Sequence, residues 1–527
     1  MKPIRLVSGF LTVGLWTLVS RVLGFARDIL IAAYLGSGAV AEAFLIAFSL
    51  PNMFRRLFAE GAFNMAFVPM FSKKLEGHED ARKFAQDAFV GLAFVTTVFT
   101  VVAIVFMPWL VYAMASGFAG DERFDLAVEY GRLAFPYIIF ISLTALVSGV
   151  LNATGRFLAA AAAPALLNIV FIAAVLIGAA FGRDPSEALG LSLDKILGLR
   201  VGDSLALSTP FAGILQLAVV WWAARRAGFT LRIGMPHMTP ELKRLAIIAA
   251  PAALAGGVVQ INLLIGRQVA SFFDGAVAWL NYADRLYQLP LGVIGIAVGV
   301  VLLPDLSRRL RAGDDTGGRD AFNRATELSL ALTVPAAVAL MVMPVPLIAA
   351  LFERGAFSAT DTAATALALA VYGLGLPAFV LQKTLQPLFF AREDTRRPFY
   401  IALASMAINA ALAIGLSPVI GFSAAALGTT LSGWATVALL GWKARAMGDA
   451  SRFDDRFKSR IWRIVAASLL MGAVLLAGQW LAAPLMAGAS RYLVLLALVS
   501  VGIVVYFGAG HLFGAFRLQE FRRALRR

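Results

Sequence analysis

Apolar stretches of about 20 residues follow one another from end to end of this chain, each long enough to cross bilayer hydrocarbon as a helix. Of its 527 residues 60% are hydrophobic and 15% charged, and the mean hydropathy is +0.81, far from the balance of a soluble domain. The runs are continuous rather than short and alternating, which excludes an outer-membrane barrel. The fold class that follows is an all-α polytopic membrane protein. There is no cysteine, so disulfides, zinc–thiolate sites and thiol catalysis are excluded. His78, His237 and His511 are scattered along the chain and form no local metal cluster, and no cofactor is expected.

The hydropathy pattern divides into about fourteen spans. They cover residues 6–35, 40–72, 84–116, 126–151, 157–181, 204–226, 241–273, 277–306, 321–352, 360–390, 397–416, 420–445, 461–483 and 490–514. Lys2 and Arg5 ahead of the first run imitate a signal peptide. The run continues through Ser20-Arg-Val-Leu-Gly-Phe-Ala-Arg-Asp28 with no small-residue cleavage pattern, so a retained first helix is expected. Alternate connections are basic: Lys73-Lys74 with Arg82-Lys83, Arg225 through Arg244, Arg308 to Arg311, Arg392 through Arg397, Lys443 through Arg463, and the tail from Arg517. Intervening ones are short or more acidic, as at Asp121-Glu122 and Ser358 to Asp361. The net charge of +15 is therefore the positive-inside pattern of a membrane protein rather than a nucleic-acid footprint, and both termini are expected to face the cytoplasm.

A repeat runs through the first twelve spans. Val68-Pro69-Met-Phe-Ser72-Lys-Lys-Leu75 matches Leu303-Pro304-Asp-Leu-Ser307-Arg-Arg-Leu310 at an offset of 235. Thr154-Gly-Arg156 and Asn168 match Thr395-Arg-Arg397 and Asn409 at an offset of 241, on which Pro136 and Pro377 also fall. Two six-helix lobes in the same orientation are expected, residues 1–230 and 231–450, with 451–527 adding two helices and a basic cytoplasmic tail. Repeated halves around a central site are a transporter's architecture.

Six charges interrupt or edge the apolar runs: Arg21, Arg27, Asp28, Arg55, Asp284 and Arg285. An ionised group near a bilayer centre costs roughly 2.5–3.5 kcal/mol on insertion scales, so it is retained chiefly in a polar cavity, and a cationic cavity implies an anionic cargo. Arg21 and Asp28 lie seven apart and share a helix face, while Arg27 projects about 120° away. A helix-end cluster snorkelling to the surface is the competing account; it suits Arg27 and Asp28 better than Arg21, because apolar sequence continues to Leu35. Arg55 follows Pro51-Asn52-Met-Phe and fits interfacial snorkelling and cargo binding equally, whereas Arg56 and Glu60 are spaced to pair with each other. In Asn281-Tyr-Ala-Asp284-Arg285-Leu-Tyr287-Gln288, Asn281, Arg285 and Gln288 form a polar stripe flanked by Asp284. Arg267 and Lys383 are two further intramembrane cations. Lys383, between Gln382 and Gln386, fits a cavity wall or a packed structural position. Arginine suits phosphate because its fork donates paired hydrogen bonds and keeps its charge.

Ser20 to Asp28, Leu50-Pro-Asn-Met-Phe-Arg-Arg56, Phe58-Ala-Glu-Gly-Ala-Phe63 and Tyr282-Ala-Asp-Arg-Leu286 resemble the hallmark segments of the MurJ (MviN) family, bacterial lipid II flippases of the multidrug/oligosaccharidyl-lipid/polysaccharide exporter superfamily. The resemblance covers essentially the whole chain. It implies two six-helix lobes around a central cationic cavity plus a terminal pair. It implies a flippase, not an enzyme, that moves lipid II from the inner to the outer leaflet of the bacterial inner membrane for cell-wall synthesis. The alternative within the superfamily is export of another polyprenyl-diphosphate-linked oligosaccharide or of drugs. Partners implied are lipid II, membrane lipids and cell-wall synthesis proteins. By the same resemblance Arg21, Arg27, Asp28, Arg55 and Arg285 fall on cargo-handling positions. Glu42 occupies a position where aspartate is usual, and Gln288 one where some relatives carry glutamate. Some members bind sodium through an asparagine and an aspartate one turn later; Ala413 follows Asn409 at that spacing, so no sodium site is expected. A lipid-diphosphate enzyme would need an Asp-Asp-x-x-Asp cluster or a loop His-Asp grouping, and neither occurs.

Overall fold

A computed structural model describes residues 6–56, 62–77, 80–182, 201–486, 488 and 490–515. Among these residues every regular element is a helix, as the sequence requires. Glu60, the Phe58–Gly61 part of its motif, His78, Lys2, Arg5 and the tail from Arg517 lie outside the described residues.

The helices are α1 (Leu6–Leu35), α2 (Ala39–Arg55), α3 (Ala62–Glu76), α4 (Ala81–Val105), α5 (Met107–Met114), α6 (Glu122–Ala134), α7 (Tyr137–Ala153), α8 (Leu158–Gly182) and α9 (Val201–Arg226). They continue as α10 (Pro240–Ala270), α11 (Ala276–Arg311), α12 (Asp315–Val342), α13 (Pro344–Phe352), α14 (Ala359–Phe390), α15 (Arg396–Ile420), α16 (Ser423–Ala444), α17 (Asp455–Ala482) and α18 (Ser490–Leu512). Among the described residues nine are long and apolar enough to cross a membrane, or ten if α6 and α7, bent by 41° at their junction, form one span. The chain is a multi-pass membrane protein. Helices α1, α2 and α11, which carry most of the candidate cations, are outside those nine.

Polar residues mark where helices begin. Asp80 accepts the Lys83 N–H at 2.9 Å to start α4, and Asp454 accepts the Phe457 N–H at 2.6 Å to start α17. Ser358 and Asp361 cap α14 reciprocally, each side chain taking the other's backbone N–H. Such caps satisfy amide donors that have no partner within the helix.

Contacts divide the chain into two units: residues 1–278 with 354–357, and residues 279–353 with 358–527. In the first, α8 packs between α1 and α9, α2 lies against α6, and α10 lies against α3. One core cluster among its described residues gathers Phe67, Phe71, Phe84 and Phe89 with residues of α7 and α9. In the second, α14 lies between α12 and α16, α15 covers α16, α17 packs on α12 and α18 on α17. The α12–α17 contact carries a polar latch. Buried Glu327 accepts from Arg324 and Arg460 at 2.6 Å each and from Arg456 at 3.4 Å, and Arg324 also bonds Asp454.

One crossing in the first unit permits no side chain. The turn after α1 places Gly36 at φ +61°, and Gly355 at φ +59° lies beside Ala33, whose carbonyl accepts the Ala356 N–H at 2.8 Å. A Cβ at Gly355 would collide with that same carbonyl oxygen, and one at Gly36 would come within 2.5 Å of the Ala356 oxygen. Left-handed backbone alone costs a side-chain-bearing residue roughly 1–2 kcal/mol. Gly355→Ala is therefore expected to lower the melting temperature of detergent-solubilised protein by at least that equivalent, while Gly313→Ala, at φ +73° but in open space, carries only the backbone cost.

Candidate functional site

Helix α1 brings Arg21, Arg27 and Asp28 into the first unit. Arg27 and Asp28 are buried, and the guanidinium folds back along the helix to reach its neighbour. Arg27 Nε and Nη2 donate to Asp28 Oδ1 at 2.9 and 2.7 Å, and Nη1 donates to Asn168 Oδ1 on α8 at 3.1 Å. The Asn168 amide in turn donates to the Ser20 carbonyl at 2.9 Å, so one side chain ties α8 to α1 at two levels. Phe171, one turn beyond Asn168, sits 5.6 Å from the Arg27 guanidinium and stacks edge-on with Phe44 and Phe48. An aromatic face favours the cation, and the apolar surround strengthens the ion pair. Surface snorkelling of Arg27 and Asp28 does not occur here. Arg21 differs: it is half-buried, and among the described residues it makes no hydrogen bond or ion pair.

Glu42 near the start of α2 is 1% exposed. Its Oε2 accepts from Arg123 Nη1 at 3.0 Å, and its Oε1 accepts the Val277 N–H at 2.9 Å, at the N-terminus of α11. Arg123 also reaches Asp121 at 2.6 Å and Asp274 at 2.9 Å, and lies 4.7 Å from the Phe118 ring. Burial pulls the Asp121 carboxyl upward, but the hydrogen bonds and charge of Arg123 outweigh it and hold that group below its ordinary value. Asp121 therefore adds stability above the ordinary carboxylate range, and this is lost as pH falls through its lowered value. Arg55, at the end of α2, is half-buried, and Arg56 is exposed.

In the second unit Asp284 and Arg285 are half-buried on α11, and Gln288 is exposed. The Gln288 amide donates to the Asp284 carboxylate one turn back, so these two candidates form a pair along the helix. Lys383 on α14 is exposed, which removes the packed structural position; its neighbour Gln382 is the residue that packs, donating to the Gly433 carbonyl at 3.1 Å.

The model of the lipid II flippase MurJ family matches residues 31–501. The chain belongs to that family. A probable lipid II flippase MurJ of Rhizobium tropici is 44% identical over 99% of this chain and 97% of its own length. The lipid II flippase MurJ of Burkholderia cenocepacia is 37% identical over 81% of each chain. A solved lipid II flippase MurJ in an inward closed conformation superposes with TM-score 0.77 at 25% identity, covering 98% of this chain and 99% of that one. An inward-facing multidrug transporter of the MATE family shares the fold at TM-score 0.66 and 14% identity, covering 82% and 95%.

Within this MurJ-family chain two polar side chains stand out that the charge pattern alone did not single out as site residues. In the sequence Asn168 marks the repeat, and its further signal is an amide on an otherwise apolar helix. Arg123 sits in the acidic-flanked stretch Asp121-Glu-Arg-Phe-Asp125, with no local sign that its carboxylate partners lie on α2 and after α10. A third feature is an apolar cavity of about 240 Å³ where α12, α17 and α18 meet, lined by Pro335, Met343, Met471, Leu475, Gly502 and Tyr506.

Arg123→Met leaves the buried Glu42 without its cation, a change that costs about 3–5 kcal/mol for a buried pair. Thermal unfolding in detergent is expected to show that loss. The double variant Glu42→Gln/Arg123→Met should recover part of it, because the carboxylates that still lose Arg123, Asp121 and Asp274, are solvent-accessible and no buried charge is left uncompensated.

Proposed function

We propose that this chain moves lipid II, an undecaprenyl-diphosphate-linked disaccharide-pentapeptide, from the inner to the outer leaflet of the bacterial cytoplasmic membrane by alternating access, with both termini cytoplasmic. Family membership supports the cargo class. The observation that carries the chemistry is Arg21, a half-buried guanidinium on an apolar helix with no anion among the described residues to meet it. A diphosphate supplies that anion and accepts the paired hydrogen bonds of the fork. Arg27 is already paired with Asp28, so its part is to hold the α1–α8 wall beside the head group and lend it a polarised donor. Arg55, Arg285 and Lys383 are the further cations proposed to engage the phosphates or the charged peptide, with Asp284 and Gln288 orienting the neutral part. Glu42 is proposed to act through the helix ends it joins.

The cavity at α12, α17 and α18 is lined almost wholly by apolar side chains and suits a segment of polyprenyl chain. We assign the terminal pair this role of guiding the lipid tail; deleting 451–527 while retaining residues 1–450 tests it.

Two measurements test the whole reading. Depleting the protein and quantifying lipid-linked precursor on each leaflet should show inner-leaflet accumulation and loss of the outer pool; unchanged pools would refute the cargo. Arg21→Glu and Arg285→Glu should each abolish transport. Arg21→Lys should keep part of it, since a point charge lacks the fork. Transport by Arg285→Glu at the wild-type rate would remove that residue from the site. Coupling to the membrane potential, which performs about 2.3 kcal/mol of work per charge per 100 mV, predicts that an ionophore slows flipping.

A further inference from the structure

The span α9 ends at Arg226, and α10 begins at Pro240. The connection between them follows a pinned path rather than a loose one. Phe229 and Leu231 are buried in the core cluster that holds Phe67, Phe71, Phe84 and Phe89, Phe229 with its ring 5.8 Å from that of Phe71. The Trp221 indole donates to the Leu231 carbonyl at 3.1 Å. The Gln86 side chain brackets the next residue, donating to the Arg232 carbonyl at 2.5 Å and accepting its N–H at 2.8 Å.

Apolar residues recur at every second position, Phe229, Leu231, Ile233 and Met235, the spacing that keeps side chains on one face of an extended segment. The first two enter the core. Ile233 and Met235 run past its rim and are 83% and 82% exposed, and Met238 is 76% exposed. Five exposed cations flank this apolar tip: Arg225 and Arg226 before it, Arg232 within it, and Lys243 and Arg244 after it. The Arg226 guanidinium stacks 3.8 Å from the exposed Trp222 ring, the pairing of aromatic and cation that marks the level of lipid head groups. The one carboxylate at the start of α10, Glu241, faces Lys74 at 3.9 Å.

We propose that Ile233, Met235 and Met238 insert at the head-group–acyl boundary of an anionic bilayer, with the five flanking cations against phospholipid phosphates. Apolar side chains entering at the interface, ringed by Lys and Arg, form a peripheral membrane anchor. A lipid surface is favoured over a protein partner because a membrane span ends one residue before this connection begins. The anchor holds one end of the first unit at a set depth, and its test reads no transport, so it stands or falls separately from the cargo.

The chain has no cysteine, so Met235→Cys introduces a unique label site. The full chain would carry a nitrobenzoxadiazole probe there, in vesicles of equal parts phosphatidylcholine and phosphatidylglycerol. The expected result is a blue-shifted emission that lipid carrying a shallow spin label quenches and aqueous iodide does not. The shift should be smaller in phosphatidylcholine alone, and smaller in anionic vesicles when Ile233→Asp is added. Because these side chains lie outside the core, Ile233→Asp should leave the melting temperature unchanged. Emission quenched by iodide and untouched by the lipid label in the anionic vesicles overturns the proposal. Shielding that appears only after a membrane-protein extract is added also overturns it, in favour of a protein partner.

Discussion

A guanidinium held among apolar helices has to meet an anion, and the anion it meets divides the arginines of this protein into two kinds. Arg27 and Arg123 meet carboxylates of their own chain, Asp28 in one case and Glu42, Asp121 and Asp274 in the other. Breaking the buried pairs among these, Arg27–Asp28 and Arg123–Glu42, costs far more than forming them contributes, so they are not sources of net stability; Arg123 fixes α6 to α2, and Arg27 reaches α8 through Asn168. Arg21 lies on the same helix as Arg27 and has no such partner among the described residues. A transporter of a diphosphate needs both kinds: ties that keep the wall polar and rigid, and a cation left for the cargo.

Fold class was legible because hydropathy is a bulk signal: a run of apolar residues reports a span whatever it packs against. Site geometry was legible only where it is local. On α11 the stripe groups Gln288 with Asn281 and Arg285 and leaves Asp284 at its flank, whereas the hydrogen bond formed is between Gln288 and Asp284, one turn apart. Helical projection sent Arg27 and Asp28 in diverging directions, yet the long arginine side chain curls back over its neighbour, a reach that a Cβ direction does not encode. Partners far apart in sequence were beyond such reasoning. Glu42 and Arg123 are 81 residues apart, and Arg27 and Asn168 are 141.

The last two helices show the same constraint at a different place. Glu327 is buried on α12 and would be an expensive lone charge; Arg324, Arg456 and Arg460 surround it, two of them from α17. Asn323, one residue before Arg324, donates to the Arg452 carbonyl at 2.9 Å and accepts the Asp454 N–H at 3.2 Å. The polar latch fixes one end of α17 against α12. Farther along, contact passes to apolar side chains around the 240 Å³ cavity, and Tyr506 on α18 donates to the Ala331 carbonyl at 2.5 Å. Orientation comes from the charged end, and the apolar end borders a cavity whose lining offers almost no polar surface.

Glu42 shows how one methylene matters to such a network. Its two oxygens serve different masters, Arg123 at 3.0 Å and the Val277 N–H at 2.9 Å, so the carboxylate must lie between the start of α6 and the start of α11. A carboxylate at a helix N-terminus meets both open amide donors and the positive end of the helix dipole. An aspartate would be shorter by one carbon and would reach both partners only if α2 approached them more closely. The longer side chain thus goes with a particular spacing of three helix ends, one of which begins the helix that carries Asp284 and Arg285. The glutamate is better understood as setting that spacing than as touching cargo, because both of its oxygens are already occupied.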